Sequence, residues 1–214
     1  MCGRFRFTDD IAELRQIAKE VNEQLFGKSV KTGEIYPTDL AVVAVWEDDR
    51  LKYLPVRWGF PKYKGKGVII NARSETAAQK PMFREPLLNR RCVVPSTGFY
   101  EWKHKEGSST KEKFLITEPG QEVMFMAGLI STFTKSDDGS KYDAFTVLTT
   151  AANESISPLH DRMPVILQRN EIETWLRDGE FMQTVLDRTG PVLEMTVVNS
   201  LKEAEYKQTS LFNN

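Results

Sequence analysis

Cys92-Val93-Val94-Pro95-Ser96-Thr97-Gly98-Phe99-Tyr100-Glu101-Trp102 contains two strand-forming runs, Cys92–Val94 and Phe99–Trp102, separated by turn-forming residues. Neither run is long enough for a helix, and no helical segment joins them. Working outward, the same pattern recurs. Phe5–Phe7, Leu40–Trp46, Leu51–Trp58, Val68–Ile70, Phe114–Thr117, Val123–Leu129, Ala144–Thr149, Val165–Leu167 and Leu193–Val198 all read as strands. The polar Glu47-Asp48-Asp49-Arg50 makes a hairpin of the second and third of these. Helical spacing is confined to four places. Ile11, Leu14, Ile17, Ala18, Val21 and Leu25 predict a helix opened by Thr8-Asp9-Asp10, running to Phe26 and terminated by Gly27. Met82–Leu88, Arg169–Arg177 and Glu180–Asp187 complete the helical set. Many short strands without βαβ alternation predict one α+β domain over residues 1–200. Its core is a mostly antiparallel sheet or barrel with flanking helices. Lys105–Lys111 and Lys135–Lys141 read as hairpin tips, and residues 201–214 as a polar tail.

The composition excludes several classes. Apolar residues make up 40% and charged residues 28% of 214, which is ordinary for a globular chain. No run of 18 apolar residues exists to form a membrane-spanning helix. The start, Met1-Cys2-Gly3-Arg4-Phe5 with Asp9 and Asp10, lacks the pattern of a signal peptide. The two cysteines make neither a disulfide framework nor a zinc site, and Cys92 sits in an apolar run that suits a core. A monomer in a reducing cytoplasm is expected, with no membrane partner and no metal. The net charge is −1, yet residues 51–91 hold ten bases against two acids. That asymmetry suits either a solvated basic face or a phosphate-binding footprint.

Four segments are rich in chemistry. The first is Cys2-Gly3-Arg4. If Met1 is removed, Cys2 carries an α-amine and a thiol on adjacent carbons. Such groups titrate near ~7.7–8.0 and ~8.5, so part of the amine is nucleophilic at neutral pH. A 1,2-aminothiol condenses with an aldehyde to an imine, and the thiol then closes a thiazolidine ring. The others are Asn71-Ala72-Arg73-Ser74-Glu75, Gly98-Phe99-Tyr100-Glu101-Trp102 and His160-Asp161-Arg162-Met163-Pro164, each at a strand end or turn. Each also has a structural reading. Asn71 can cap a helix, Glu101 can pair with Lys103, Asp161-Arg162 can be a local ion pair, and Trp58, Tyr100 and Trp102 can be core. Taken together they suit aldehyde chemistry. Glu101 and His160 can move protons, and the Asn71 amide can orient reacting groups. Arg4, Arg73, Arg84 and Arg162 offer forked donors to phosphates, and exposed aromatics can stack on bases.

The ordered set Met1-Cys2-Gly3-Arg4-Phe5, Tyr36-Pro37-Thr38, Arg57-Trp58-Gly59, Asn71–Glu75, Cys92–Pro95 with Gly98–Trp102, and His160–Pro164 resembles the SRAP family (SOS-response-associated peptidase). The resemblance runs to about Asn199. It implies a β-rich SRAP fold with a groove for single-stranded DNA and activity on abasic sites. It implies loss of Met1 and a thiazolidine between Cys2 and the ring-opened sugar, shielding the lesion from strand cleavage. Asn71, Glu101 and His160 then take catalytic positions beside Cys2. Arg73 and Arg162 fall at phosphate contacts, and Trp58 and Trp102 near the DNA path. No cofactor is implied. Two alternatives use the same residues. One is a cysteine peptidase built on Cys2, His160 and Asn71 that removes its own Met1, and the other an abasic-site lyase acting by β-elimination from the imine. A passive single-strand-binding module would leave Cys2 and Glu101 idle.

Overall fold

The computed structural model describes residues 3–104 and 109–198. In chain order these form β1 (Arg4–Phe7), α1 (Ala12–Asn22), β2 (Gly33–Ile35), β3 (Leu40–Glu47), β4 (Arg50–Trp58), β5 (Phe60–Pro61), β6 (Val68–Ile69) and β7 (Asn71–Arg73). There follow α2 (Ser74–Ala77), α3 (Pro81–Asn89), β8 (Arg91–Ser96), β9 (Gly98–His104), β10 (Lys111–Thr117), β11 (Met124–Thr134) and β12 (Lys141–Ala151). The last elements are β13 (Arg162–Pro164), β14 (Ile166–Leu167), a 3₁₀ turn (Arg169–Glu171), α4 (Ile172–Arg177), α5 (Gly179–Asp187) and β15 (Glu194–Val197).

The fold is α+β and mostly antiparallel, with a partly closed barrel. Strands β12, β4, β3, β8 and β11 follow one another around it, and β11 pairs back onto β12. The seam is narrow at two joints. β12 meets β4 in parallel over Ala144–Arg57 and Phe145–Trp58, and β3 meets β8 only at Ala44–Val93. A second sheet of order β15-β10-β9-β1-β2 packs beside it. The segment 92–102 is the hinge between the layers. Every residue of β8 is buried, and its middle, Cys92–Pro95, is an unbroken apolar run. The chain then turns at Thr97, whose N–H donates to the Arg6 carbonyl at 2.7 Å. Gly98 follows with φ +139°, and a Cβ there would lie 2.6 Å from the Ile116 carbonyl. Only glycine fits this crossing. β9 then joins β1 with Phe5 opposite Phe99.

The helices cover the barrel's surface. Burial of Leu14, Ile17, Ala18 and Val21 gives α1 its apolar stripe. It is shorter than its pattern predicts, because Thr8–Asp10 forms a turn and Phe26 and Gly27 already have positive φ. Arg91 ties two helix ends to β8. Its guanidinium donates to the carbonyls of Leu87 (2.9 Å) and Leu88 (3.0 Å) in the last turn of α3, and of Trp175 (2.5 Å) in that of α4. Helix C-termini present unpaired carbonyls and a partial negative charge, so a buried cation satisfies both here without a carboxylate. Each buried acceptor left unpaired costs about 1–3 kcal/mol. Arg91→Met is therefore expected to lower unfolding free energy by about 3 kcal/mol or more in urea titration. An unchanged midpoint would show that these carbonyls find other partners.

Candidate active site

One wall of the site comes from the five-stranded sheet. Glu101 lies on β9, 5% exposed, one residue from the Arg4–Tyr100 pair that joins β9 to the start of β1. Its neighbour Trp102 is half-buried and points its ring toward Arg4. The Arg4 guanidinium sits 4.2 Å from the Tyr36 ring centroid and 5.0 Å from that of Trp102. Glu34 on β2 accepts from Arg4 Nη1 at 3.0 Å and from Lys113 Nζ at 2.7 Å. Lys113 in turn lies 4.2 Å from the Tyr100 ring centroid. Arg4, Lys113 and Glu34 with three aromatic rings thus form a partly exposed face beside the buried Glu101. The Tyr36-Pro37-Thr38 turn borders it. Thr38 has φ +77°, an uncommon conformation for a β-branched residue. It is held by its N–H donating to the Trp58 carbonyl at 2.8 Å and by Asp39 Oδ2 accepting from the Tyr36 N–H at 2.8 Å.

The other wall gathers around β12. β7 runs parallel to β12 with Asn71 opposite Val147 and Arg73 opposite Thr149. β13 lies antiparallel on the other edge with Arg162 opposite Ala151. The motifs around Asn71 and His160, nearly ninety residues apart in sequence, are therefore neighbours across one strand end. A side-chain clasp reinforces this. Glu75, on the first turn of α2, accepts two bonds from Arg162, that to Nη2 at 2.8 Å. Arg162 Nη2 also donates to the Thr149 carbonyl at 2.7 Å. The Arg162 guanidinium holds the Glu75 carboxyl down to about 2. The pair therefore opens only in acid, as pH falls from about 4.5, the ordinary value, toward 2. His160 sits on the turn ahead of β13. Its Nδ1 accepts from the Arg162 backbone N–H at 3.0 Å and lies 2.8 Å from Asp161 Oδ1.

Trp58 joins the two walls. Its ring packs edge-on to Phe5 of β1 at 5.0 Å and stacks on Phe145 of β12 at 6.2 Å. Its Nε1–H donates to the Ile70 carbonyl, the residue before Asn71, at 3.1 Å. Two contacts thus connect β1 to the Asn71 strand.

This placement corrects one expectation. Trp58 is fully buried and cannot stack on a base. The alternation of β4 turns it inward, where its indole N–H finds a backbone partner. Arg162 is 9% exposed, with both terminal nitrogens engaged. The structure places Arg73 and Arg84 on the surface, at the start of α2 and within α3, and Asn71 half-buried. Cys2 lies outside the described residues, as do Met1, most of the Lys105–Lys111 segment and the tail from 199 on. Sequence reading missed Glu34, the carboxylate that holds Arg4 and is shared with Lys113. The short run Gly33-Glu34-Ile35, one carboxylate in a strand-like triplet after a loop, was the available signal. Among the described residues, no group of three or more His, Cys, Asp or Glu is arranged to hold a metal ion.

A partly closed barrel with a second, five-stranded sheet beside it is the architecture that carries these motif residues. A family match described as SOS response associated peptidase (SRAP) spans residues 1–201, and the chain belongs to that family. It is 32% identical over 198 residues to YoqW of Bacillus subtilis, named an abasic site processing protein, covering 87% of this chain and 86% of that one. It is 31% identical over 182 residues to YedK of Escherichia coli, which bears the same description, covering 83% and 80%. A crystal structure of a Bacteroides thetaiotaomicron protein superposes with a TM-score of 0.72 over 93% of both chains at 23% identity, showing the shared fold.

Proposed function

We propose that this protein processes abasic sites in single-stranded DNA by covalent capture at its N-terminus. The observation that carries this reading is the clustering of Asn71, Arg73 and His160 at the end of β12, linked through Trp58 to β1, whose partner β9 bears the buried Glu101. A buried carboxylate beside the strand that follows Cys2, with an imidazole and an amide at the end of β12, supplies the groups that aldehyde condensation needs. The family relationship and the naming of relatives as abasic site processing proteins support the same substrate.

The abasic deoxyribose is mainly a closed hemiacetal. Its ring opens when a proton leaves the C1 hydroxyl and one is delivered to the ring oxygen, exposing the aldehyde. The Cys2 amine, free once Met1 is gone, adds to that carbon. Loss of water gives the imine. The thiol then adds across the C=N bond, sulfur to carbon and proton to nitrogen, closing the thiazolidine. Glu101 and His160 serve the proton transfers, and Asn71 orients the sugar. The ring consumes the aldehyde and shields the lesion from β-elimination and strand cleavage.

A single strand carrying one abasic site should give a denaturation-resistant band on a gel. The tetrahydrofuran analogue, which has no aldehyde, should give none. A band with both, or with neither, would overturn the proposal. Phosphate binding falls to the exposed Arg73 and Arg84, with Arg4 and Trp102 on the aromatic face. Each lost phosphate contact flattens the log–log salt dependence of single-strand binding by about 0.7. Arg73→Ala should show this change, and an unchanged slope would remove Arg73 from the DNA path.

A further inference from the structure

We infer that Glu75 and Arg162 form a positioning pair whose task is to hold His160 in one tautomer, with the proton on Nε2. Two groups compete for His160 Nδ1. The Arg162 backbone N–H, 3.0 Å away, requires a lone pair there. Asp161 Oδ1, 2.8 Å away, requires a proton there. The neutral ring can satisfy only one of them. The Asp161 side chain is 80% exposed, so water competes for its oxygens and weakens its pull. The N–H has no such freedom if the backbone at Arg162 is fixed.

Three anchors fix that backbone. Arg162 pairs with Ala151 across β13 and β12. The Ala152 N–H donates to the Asp161 carbonyl at 3.0 Å. The Arg162 side chain is drawn in by Glu75 and by the Thr149 carbonyl. The first two anchors are ordinary strand ladder. The third is a forked, charge-assisted pair that crosses to α2, so it ties the His160 turn to the Asn71–Arg73 strand. Loosening it frees the N–H to leave Nδ1, and the ring can then turn to donate Nδ1–H to Asp161. The proton on Nε2 makes His160 a donor at that atom, which suits protonation of the sugar ring oxygen. That last clause rests on the abasic-site reading, whereas the tautomer does not.

The test separates the two. The ring ¹⁵N shifts and two-bond couplings of His160 in the full-length protein without DNA, at a pH where the imidazole is neutral, report its tautomer. Only His104 shares the histidine spectrum. The wild type is expected to show the Nε2–H pattern. Glu75→Gln removes the fork at nearly constant shape and should give averaged tautomers. Arg162→Lys, which keeps the charge and loses the fork, should do the same. In both, crosslinking to an abasic strand should slow by on the order of 10- to 10²-fold, as misplaced groups do, and in Glu75→Gln without weaker binding to an undamaged strand. Retention of the wild-type Nε2–H pattern in both folded variants would overturn the inference. So would averaged tautomers in the wild type. Tautomer averaging in the variants, in a protein that forms no crosslink at all, would uphold the pair and sink the abasic-site reading instead.

Discussion

Cys2→Ala should abolish the denaturation-resistant adduct with abasic single-stranded DNA while still allowing an imine that borohydride traps. The substitution keeps the α-amine and deletes the sulfur. Condensation can still run as far as the imine, which hydrolyses on denaturation unless it is reduced. No ring can close. The imine also acidifies the carbon next to it, so strand cleavage by β-elimination should rise in the variant as the competing fate. A permanent tag that acylates the N-terminus should remove both products, since no amine then remains. Full crosslinking by the tagged protein would point to a thiol acting alone and would contradict the mechanism.

The second large effect belongs to the acid–base residues. Glu101→Gln and His160→Ala should each slow crosslinking by about 10²–10⁴-fold, the usual contribution of general acid–base catalysis. Binding to an undamaged strand should change little. Glu101 is buried on β9, and glutamine has nearly its shape, so packing should survive. The defect should shrink when the substrate is a small free aldehyde, because the closed sugar is then bypassed. Wild-type rates in both folded variants would leave Cys2 acting alone and return both residues to structural roles.

The legible part of this fold is the part with a local cause. Apolar runs marked the long strands, and the spacing of Leu14, Ile17, Ala18 and Val21 marked α1. The turn residues around Gly98 marked the break between β8 and β9. The shortest elements escaped. β7 was expected only as the end of a strand at Asn71, because three residues carry no period. It exists because β12 offers it a parallel edge, and that edge is 76 residues away in sequence. α2, four residues long, likewise owes its place to packing rather than to propensity.

The site divides in the same way. Motif spacing singled out Asn71, Glu101 and His160 but could not say which arginine faces solvent. Arg73 and Arg162 look alike in sequence. In the fold one stands exposed just ahead of α2 and the other is held by Glu75 and the Thr149 carbonyl. Trp58 misled for a related reason. Its motif position suggested a DNA contact, whereas the register of β4 turns it into the core between Phe5 and Phe145. In both cases the decisive partner comes from an element distant in sequence, and no local pattern announces it.

The central claim is that the chain captures an aldehyde with its own N-terminal aminothiol. The most direct measurement is the intact mass of the adduct with an abasic oligonucleotide, followed by peptide mapping. The account predicts the sum of the protein without Met1 and the oligonucleotide, less one water, with the modification on Cys2. An adduct that retains Met1, one that maps to any other residue, or no adduct at all would contradict it.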